Sequence, residues 1–138
     1  MNGQSQGDDI LIDVRDCFNG IEVLADGRYA KIKPATIIAA ANRALLSYDR
    51  VLGPDPASGG VATVGGVVAN NASGMTAGTK LNSYHTVVSM KVLLPSGTLI
   101  DTARPDVNRT LFEHERELHD GLLDIRSEIL HDEPSNSS

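Results

Sequence analysis

The sequence predicts an α+β domain, and three observations point there. Two short β groups, near residues 21–33 and 85–101, each read as a strand turning back on its neighbour. Helical periodicity fills residues 35–48 between them and 111–130 after them. A glycine-rich ribbon, Leu52 to Gly78, separates the first helix from the second β group. Hairpin pairing with helices between and after it argues against a complete doubly wound sheet. At 138 residues the chain is one domain's worth, and no internal repeat is visible.

Ile10-Leu11-Ile12-Asp13-Val14 is a short apolar run after Gly and Asp punctuation, so it predicts a strand. Ile21 to Leu24 and Tyr29 to Lys33 flank Asp26-Gly27, a hairpin turn signal. Ile21, Val23 and Ala25 share one face, Ala30 and Ile32 face inward on the return strand, and Lys31 and Lys33 take the wet side. Pro34 opens a helix over Ala35 to Tyr48, with Thr36, Ile37, Ala40, Ala41, Ala44, Leu45 and Tyr48 on its buried stripe.

The ribbon holds seven of the thirteen glycines and no Lys, Arg or Glu, and Asp55 is its one charged side chain. Such a stretch brings backbone close to something. Val64-Gly65-Gly66-Val67-Val68-Ala69-Asn70-Asn71 reads as a tight turn running into a short helix with free N-terminal N–H groups. Donors of this kind suit a phosphate, or the carbonyls and ring nitrogens of a planar heterocycle. A plain surface loop joining two elements has the same composition. Neither GxxxxGK[ST] nor GxGxxG occurs.

His85 to Leu94 is rich in β-branched residues and predicts a strand that buries Val88, Met90, Val92 and Leu94. Pro95-Ser96-Gly97 turns it into Thr98 to Asp101. Leu111 to Leu130 predicts a helix interrupted near Asp120-Gly121, with Leu118, Leu122, Ile125 and Ile129 at helical spacing beside Leu111 and Leu123. Residues 1–131 form the expected domain, and 132–138 read as a disordered tail.

The formal charge is −6, and the excess of acid lies wholly after residue 100. No basic patch with interleaved aromatics exists, so nucleic acid is not an expected partner. The lone Cys17 predicts a buried inert thiol and a cytoplasmic setting. No stretch reaches the ~20 apolar residues of a bilayer span, and the polar, acidic start is unlike a signal peptide. Met75 and Met90 read as packing residues. His114, His119 and His131 are too widely spaced for a compact ligand set, so no metal site is expected.

Three stretches together resemble a known family. They are Pro54-Asp55-Pro56-Ala57-Ser58, then Ala62-Thr63-Val64-Gly65-Gly66-Val67-Val68-Ala69-Asn70-Asn71-Ala72-Ser73-Gly74-Met75, and Leu93-Leu94-Pro95-Ser96-Gly97-Thr98. Asn82-Ser83-Tyr84 and Ile100-Asp101-Thr102 are similar too. They resemble the FAD-binding domain of the vanillyl-alcohol oxidase / p-cresol methylhydroxylase (PCMH) type. Within it they look closest to the D-lactate and D-2-hydroxyglutarate dehydrogenases and the glycolate oxidase flavin subunit.

The resemblance implies FAD as cofactor and oxidation of a 2-hydroxy acid, with hydride passing from the α carbon to flavin N5 while a base takes the hydroxyl proton. It implies that Pro54, Asp55, Pro56, Ala57 and Ser58 meet the flavin ring region. Thr63, Gly65 and Gly66 would meet the cofactor through hydroxyl and backbone groups. Asn70, Asn71, Ser73, Gly74 and Gly78 would hold the loop and reach ring or sugar. Gly3-Gln4 matches the end of the family's pyrophosphate loop, and Asp13-Val14 the strand after it.

The resemblance thus implies an incomplete PCMH-type domain, mostly its second subdomain, that is not catalytic alone and carries no catalytic residue of its own. His85 lies near the motif and reads as a core or surface residue. The partners implied are FAD and the remaining parts of the same flavoenzyme or a second copy. The competing expectation is a non-catalytic nucleotide-binding or protein-interaction module derived from such a domain. Two positions depart from the family pattern. Ala35 stands where a glycine follows the proline, and Gly59-Gly60-Val61 replaces a more polar stretch.

Overall fold

A computed structural model describes residues 12–75 and 77–132, which fall into two units, Met1–Val87 and Val88–Ser138. In the first, alternation of apolar and polar residues produces an antiparallel hairpin, β1 (Ile21–Leu24) and β2 (Tyr29–Ile32), in register Ile21 to Ile32 and Leu24 to Tyr29. Ile21, Val23, Ala30 and Ile32 lie on its more sheltered face, while Lys31 and Lys33 are exposed as expected. The connection is a 3-10 turn over Ala25–Gly27. Ala25, Asp26 and Gly27 all have positive φ, and Ala25 is exposed and does not share the sheltered face.

The first helix begins three residues later than its periodicity suggests. α1 spans Ile38–Leu45 and is followed by a 3-10 turn over Leu46–Tyr48. Pro34 to Ile37 are held out of the helix from two sides, with Pro34 and Ala35 in a turn closed by Thr36 N–H to Lys33 O at 3.1 Å. Toward the hairpin, Ala35 N–H donates to Phe18 O at 2.8 Å. The Thr36 hydroxyl accepts from Gly20 N–H at 2.9 Å and donates to Gly20 O at 3.0 Å. Toward the ribbon, Ile37 bridges to Thr63, and Val64 N–H donates to Thr36 O at 2.8 Å. These bonds fix backbone that a helical turn would otherwise use.

The buried stripe is therefore Ile38, Ala41 and Leu45, with Ala35 and Thr36 beneath it. Ile37, Ala40 and Tyr48 are exposed. Full burial of Ile38 and Leu45 contributes about 1.5–3 kcal/mol each. α2 (Val64–Ala69) and α3 (Ser83–Thr86) complete the unit, packed through Val67 and Ser83. Ser83 is 1% exposed, and its hydroxyl donates to Val67 O or Ala72 O, at 3.2 and 3.1 Å.

Several expectations for this unit are corrected. Ile12 to Val14 is not a strand. Asp13 folds back onto Arg15 in a bidentate pair, and Phe18 N–H donates to Val14 O, so the chain turns there. The Arg15 hydrogen bonds hold the Asp13 carboxyl at about 2. Ile10, Leu11 and Gly3-Gln4 lie outside the described residues. Cys17 is exposed, because its turn has no element packed over it among the described residues. Met75 is fully exposed and packs nothing.

In the second unit, β3 (Lys91–Leu93) pairs antiparallel with β4 (Leu99–Asp101) around the Pro95-Ser96-Gly97 turn. The expected long strand from His85 is cut short. The Asn82 carboxamide accepts from His85 N–H at 3.0 Å and caps α3, so residues 83–86 are helical. Val88, Met90 and Val92 are exposed, because a two-stranded ribbon with no third strand among the described residues leaves that face uncovered.

α4 (Val107–His114) and α5 (Arg116–Asp132) meet at Glu115, whose φ of −137° and ψ of 51° break the helix. The break is not at Gly121, which is helical and whose site has open space around it. Glu115 is drawn aside because its carboxylate accepts from the Ser96 hydroxyl in the β3–β4 turn. Leu118, Leu122, Ile125 and Ile129 do share a face, and all are exposed. Asp132, expected to begin the disordered tail, instead closes α5, and residues 133–138 lie outside the described residues.

Three carboxyls of this unit sit below their ordinary range: Asp106 beside the Arg104 guanidinium, Glu115 beside the Ser96 hydroxyl, and Asp120 beside the Arg116 guanidinium. A carboxyl lowered by folding stabilises above its unfolded value and loses that contribution as pH falls through its folded one. Helical circular dichroism is expected to stay flat above about pH 5 and to decline below about pH 4. High salt should shrink the change, since all three groups are solvated.

Candidate functional site

The ribbon is a chain excursion closed at its neck. Asp55 N–H donates to Ser73 O at 2.6 Å, and Asp55 bridges Gly74 in parallel. Gly74 has φ +94°, and any Cβ there would overlap the Asp55 carbonyl carbon and oxygen. Only glycine allows the two strands of the neck to cross this closely.

Between the ends of the excursion the chain folds onto the start of α1. Gly59 N–H donates to Pro56 O at 2.8 Å, and Val61 and Ala62 N–H both donate to Ser58 O. This double turn presents Gly59 O and Ala62 O to the orphan amides of Ala39 and Ile38, each at 3.0 Å. The neck, the turn and α1 enclose an open groove of about 660 Å³, within the usual size of small-molecule sites.

Five of the thirteen residues singled out from sequence line the groove: Asp55, Pro56, Ala57, Ser73 and Gly74. The other lining residues are Ile38, Ala39, Asn42, Gly59, Gly60 and Met75. Gly59, Gly60 and Met75 were marked by their place in the ribbon. The α1 residues carried no local signal, because long-range hydrogen bonds bring that helix to the turn. The Ala57 and Gly60 N–H groups make no hydrogen bond to an acceptor among the described residues, so the wall of the groove has donors to offer. Asp55 is the one ionisable side chain among the lining residues, and no basic side chain lines the groove.

Eight of the expected residues lie outside the lining. Pro54 is buried behind the neck, and Ser58 supplies the turn's carbonyl. The amides at the start of α2 are not free. Val64 N–H goes to Thr36 O and Gly65 N–H to Pro34 O, both at 2.8 Å. Gly66 N–H goes to the Thr63 hydroxyl at 3.3 Å. A Cβ on Gly65 would lie 2.8 Å from Pro34 Cβ, so this glycine serves a backbone-to-backbone contact inside the protein. Asn70 follows α2 and donates its N–H to Gly66 O. Asn71, at φ +46°, accepts Tyr84 N–H on its carboxamide at 2.8 Å and ties α2 to α3. Gly78 sits in an exposed turn.

His85 is exposed, hydrogen-bonded to Asn82 Oδ1 at 2.8 Å and edge-on to Tyr84, and it does not line the groove. Among the described residues no three His, Cys, Asp or Glu side chains gather as a metal site would need.

Residues 1–103 match the family model described as FAD binding domain. The chain belongs to that family. It is an FAD-binding domain of the PCMH type, and flavin binding in an oxidoreductase-type domain follows from membership. The match covers the whole groove and the β3–β4 hairpin, and leaves α4 and α5 beyond it. Neither curated proteins nor solved structures gave a match. Among the described residues no helix of this FAD-binding domain is long and apolar enough to cross a membrane.

The groove fits one part of FAD. A flat ring system needs close backbone approach, apolar walls and a few edge donors, which the glycine neck, Pro56, Ile38 and the Ala57 and Gly60 amides provide. The diphosphate has no cradle among the lining residues, since the α2 amides are occupied.

Proposed function

We propose that this chain is the flavin-holding part of an FAD-linked oxidoreductase acting on a 2-hydroxy acid in the cytoplasm, and that it does not turn over alone. The observation that carries this reading is the groove, where the Asp55–Gly74 neck, the Pro56–Ala62 turn and α1 meet in a chain of the FAD-binding family. The choice of a 2-hydroxy acid is supported by the resemblance of the Pro54–Ser58 and Leu93–Thr98 stretches to the D-lactate and glycolate branch. A cytoplasmic setting is supported by the single cysteine, and residues 104–131 are taken as part of the same domain.

The flavin, when bound, supplies the hydride-accepting chemistry. The chain's share is to hold the ring. Asp55, Pro56, Ala57, Ser73 and Gly74 shape the neck side of the groove, while Ile38 and Ala39 form the helix side. In this reading Pro54, Ser58, Thr63, Gly65, Gly66, Asn70, Asn71 and Gly78 act behind the lining and fix its shape. A base for the substrate hydroxyl, and the groups that meet the substrate carboxylate, come from outside the groove.

Titration of the purified chain with FAD is expected to give saturable flavin difference absorbance, with the cofactor lost on desalting. Dye-linked reduction with a panel of 2-hydroxy acids is expected to show no turnover. Stoichiometric FAD retained through purification would refute the weak binding expected, and robust turnover would overturn the reading that the chain does not act alone.

The second reading, a non-catalytic nucleotide-binding or protein-interaction module, draws on the exposed Leu118, Leu122, Ile125 and Ile129 face of α5. Colourless protein that self-associates and shows no flavin response would favour it.

A further inference from the structure

We propose that Asn42 is a flavin-contacting residue, whose side-chain amide donates a hydrogen bond to an acceptor on the edge of the isoalloxazine ring. The inference rests on the reading of the groove as the flavin site.

Asn42 lies one turn after Ile38 on α1 and beside Ala41, which are 2% and 0% exposed. An apolar residue would extend that core, and a half-buried carboxamide costs free energy unless its atoms are bonded. Half of the cost is met inside the protein, because Asn42 Oδ1 accepts Leu52 N–H at 2.8 Å. This bond also decides the orientation of the group. The oxygen must face Leu52, so Nδ2 is the end left over.

That nitrogen carries two N–H donors, and neither meets an acceptor among the described residues. It is also not sealed in, since among the described residues no fully buried side-chain nitrogen or oxygen lacks a partner. Asn42 is among the residues lining the groove, and Nδ2 is the end of its carboxamide not already bonded inside the protein. Among the lining backbone amides, those of Ala57 and Gly60 likewise meet no described acceptor.

The chemistry of the ring matches this set. The pyrimidine side of an isoalloxazine is lined by two carbonyl oxygens and acceptor ring nitrogens, so it takes neutral donors from more than one direction. A neutral amide held by its own oxygen can serve one of these acceptors without adding charge. Lys or Arg at this place would select phosphate instead.

The test uses the full-length chain labelled with nitrogen-15 and titrated with FAD, following the Asn42 side-chain amide pair and the Gly60 and Gly74 backbone amides. All three are expected to shift and saturate together. If the glycine amides move and the Asn42 pair does not, the Asn42 inference falls while the groove reading stands. If none of them moves, both fall. In a second arm, Asn42→Asp keeps an oxygen for Leu52 N–H and removes the donors. It is expected to leave the unfolding midpoint unchanged and weaken FAD about tenfold. Wild-type FAD affinity in that variant also overturns the inference.

Discussion

Replacing Gly74 by alanine is expected to destabilise the first unit by about 2–4 kcal/mol and to abolish FAD binding. Two penalties combine at this position. The backbone sits at φ +94°, where side chains are strained, and the new methyl would overlap the Asp55 carbonyl group. The neck would have to part, breaking the Asp55 N–H to Ser73 O hydrogen bond and with it one wall of the groove. Gly78→Ala separates the two penalties. Gly78 has φ +54°, but its Cβ would meet nothing within 4 Å, so it should cost only about 1 kcal/mol. Chemical denaturation of the two variants side by side checks the prediction. Equal losses would show that the neck is not as close as described.

Gly60→Trp is expected to have the opposite profile, with near-normal stability and FAD affinity lowered at least about a hundredfold. Gly60 lines the groove, its φ is outside the left-handed region, and a Cβ there would meet open space. An indole at that place fills the volume a ring would take without disturbing the Gly59 and Ala62 carbonyls that bind α1. A Gly60→Trp protein that titrates with FAD like the wild type would place the cofactor elsewhere on the chain.

The parts of the fold legible in the sequence are those fixed by local pattern. The hairpin at 21–32 follows from alternation around Asp26-Gly27, and α2 from the tight glycine turn running into a short apolar stretch. The parts that misled are those where a distant partner takes over backbone groups. α1 starts late because Gly20, Phe18 and Thr63 claim Pro34 to Ile37. The helix of the second unit breaks at Glu115 because Ser96 claims its carboxylate. The β-branched run from His85 lost its first two residues to the Asn82-capped helix, and the rest lacks a covering layer. β propensity describes fit to a half-covered pleated surface, and here little covers it.

The candidate site divides in the same way. The neck and turn residues were visible because missing side chains are visible in a sequence. Ile38, Ala39 and Asn42 were not, since their presence depends on two hydrogen bonds, from Ala39 and Ile38 N–H to Gly59 O and Ala62 O, that no local spacing encodes. At the start of α2 the structure adds a contact the sequence did not signal: the small size of Gly65 serves its close approach to Pro34.

The occupied amides at the start of α2 also bear on which part of the cofactor the groove holds. With those amides occupied and Asp55 as the sole ionisable lining group, the described residues of the groove offer no counter-charge to a phosphate. On the proposed reading, the described lining holds the tricycle, and recognition of the diphosphate falls to residues outside that lining.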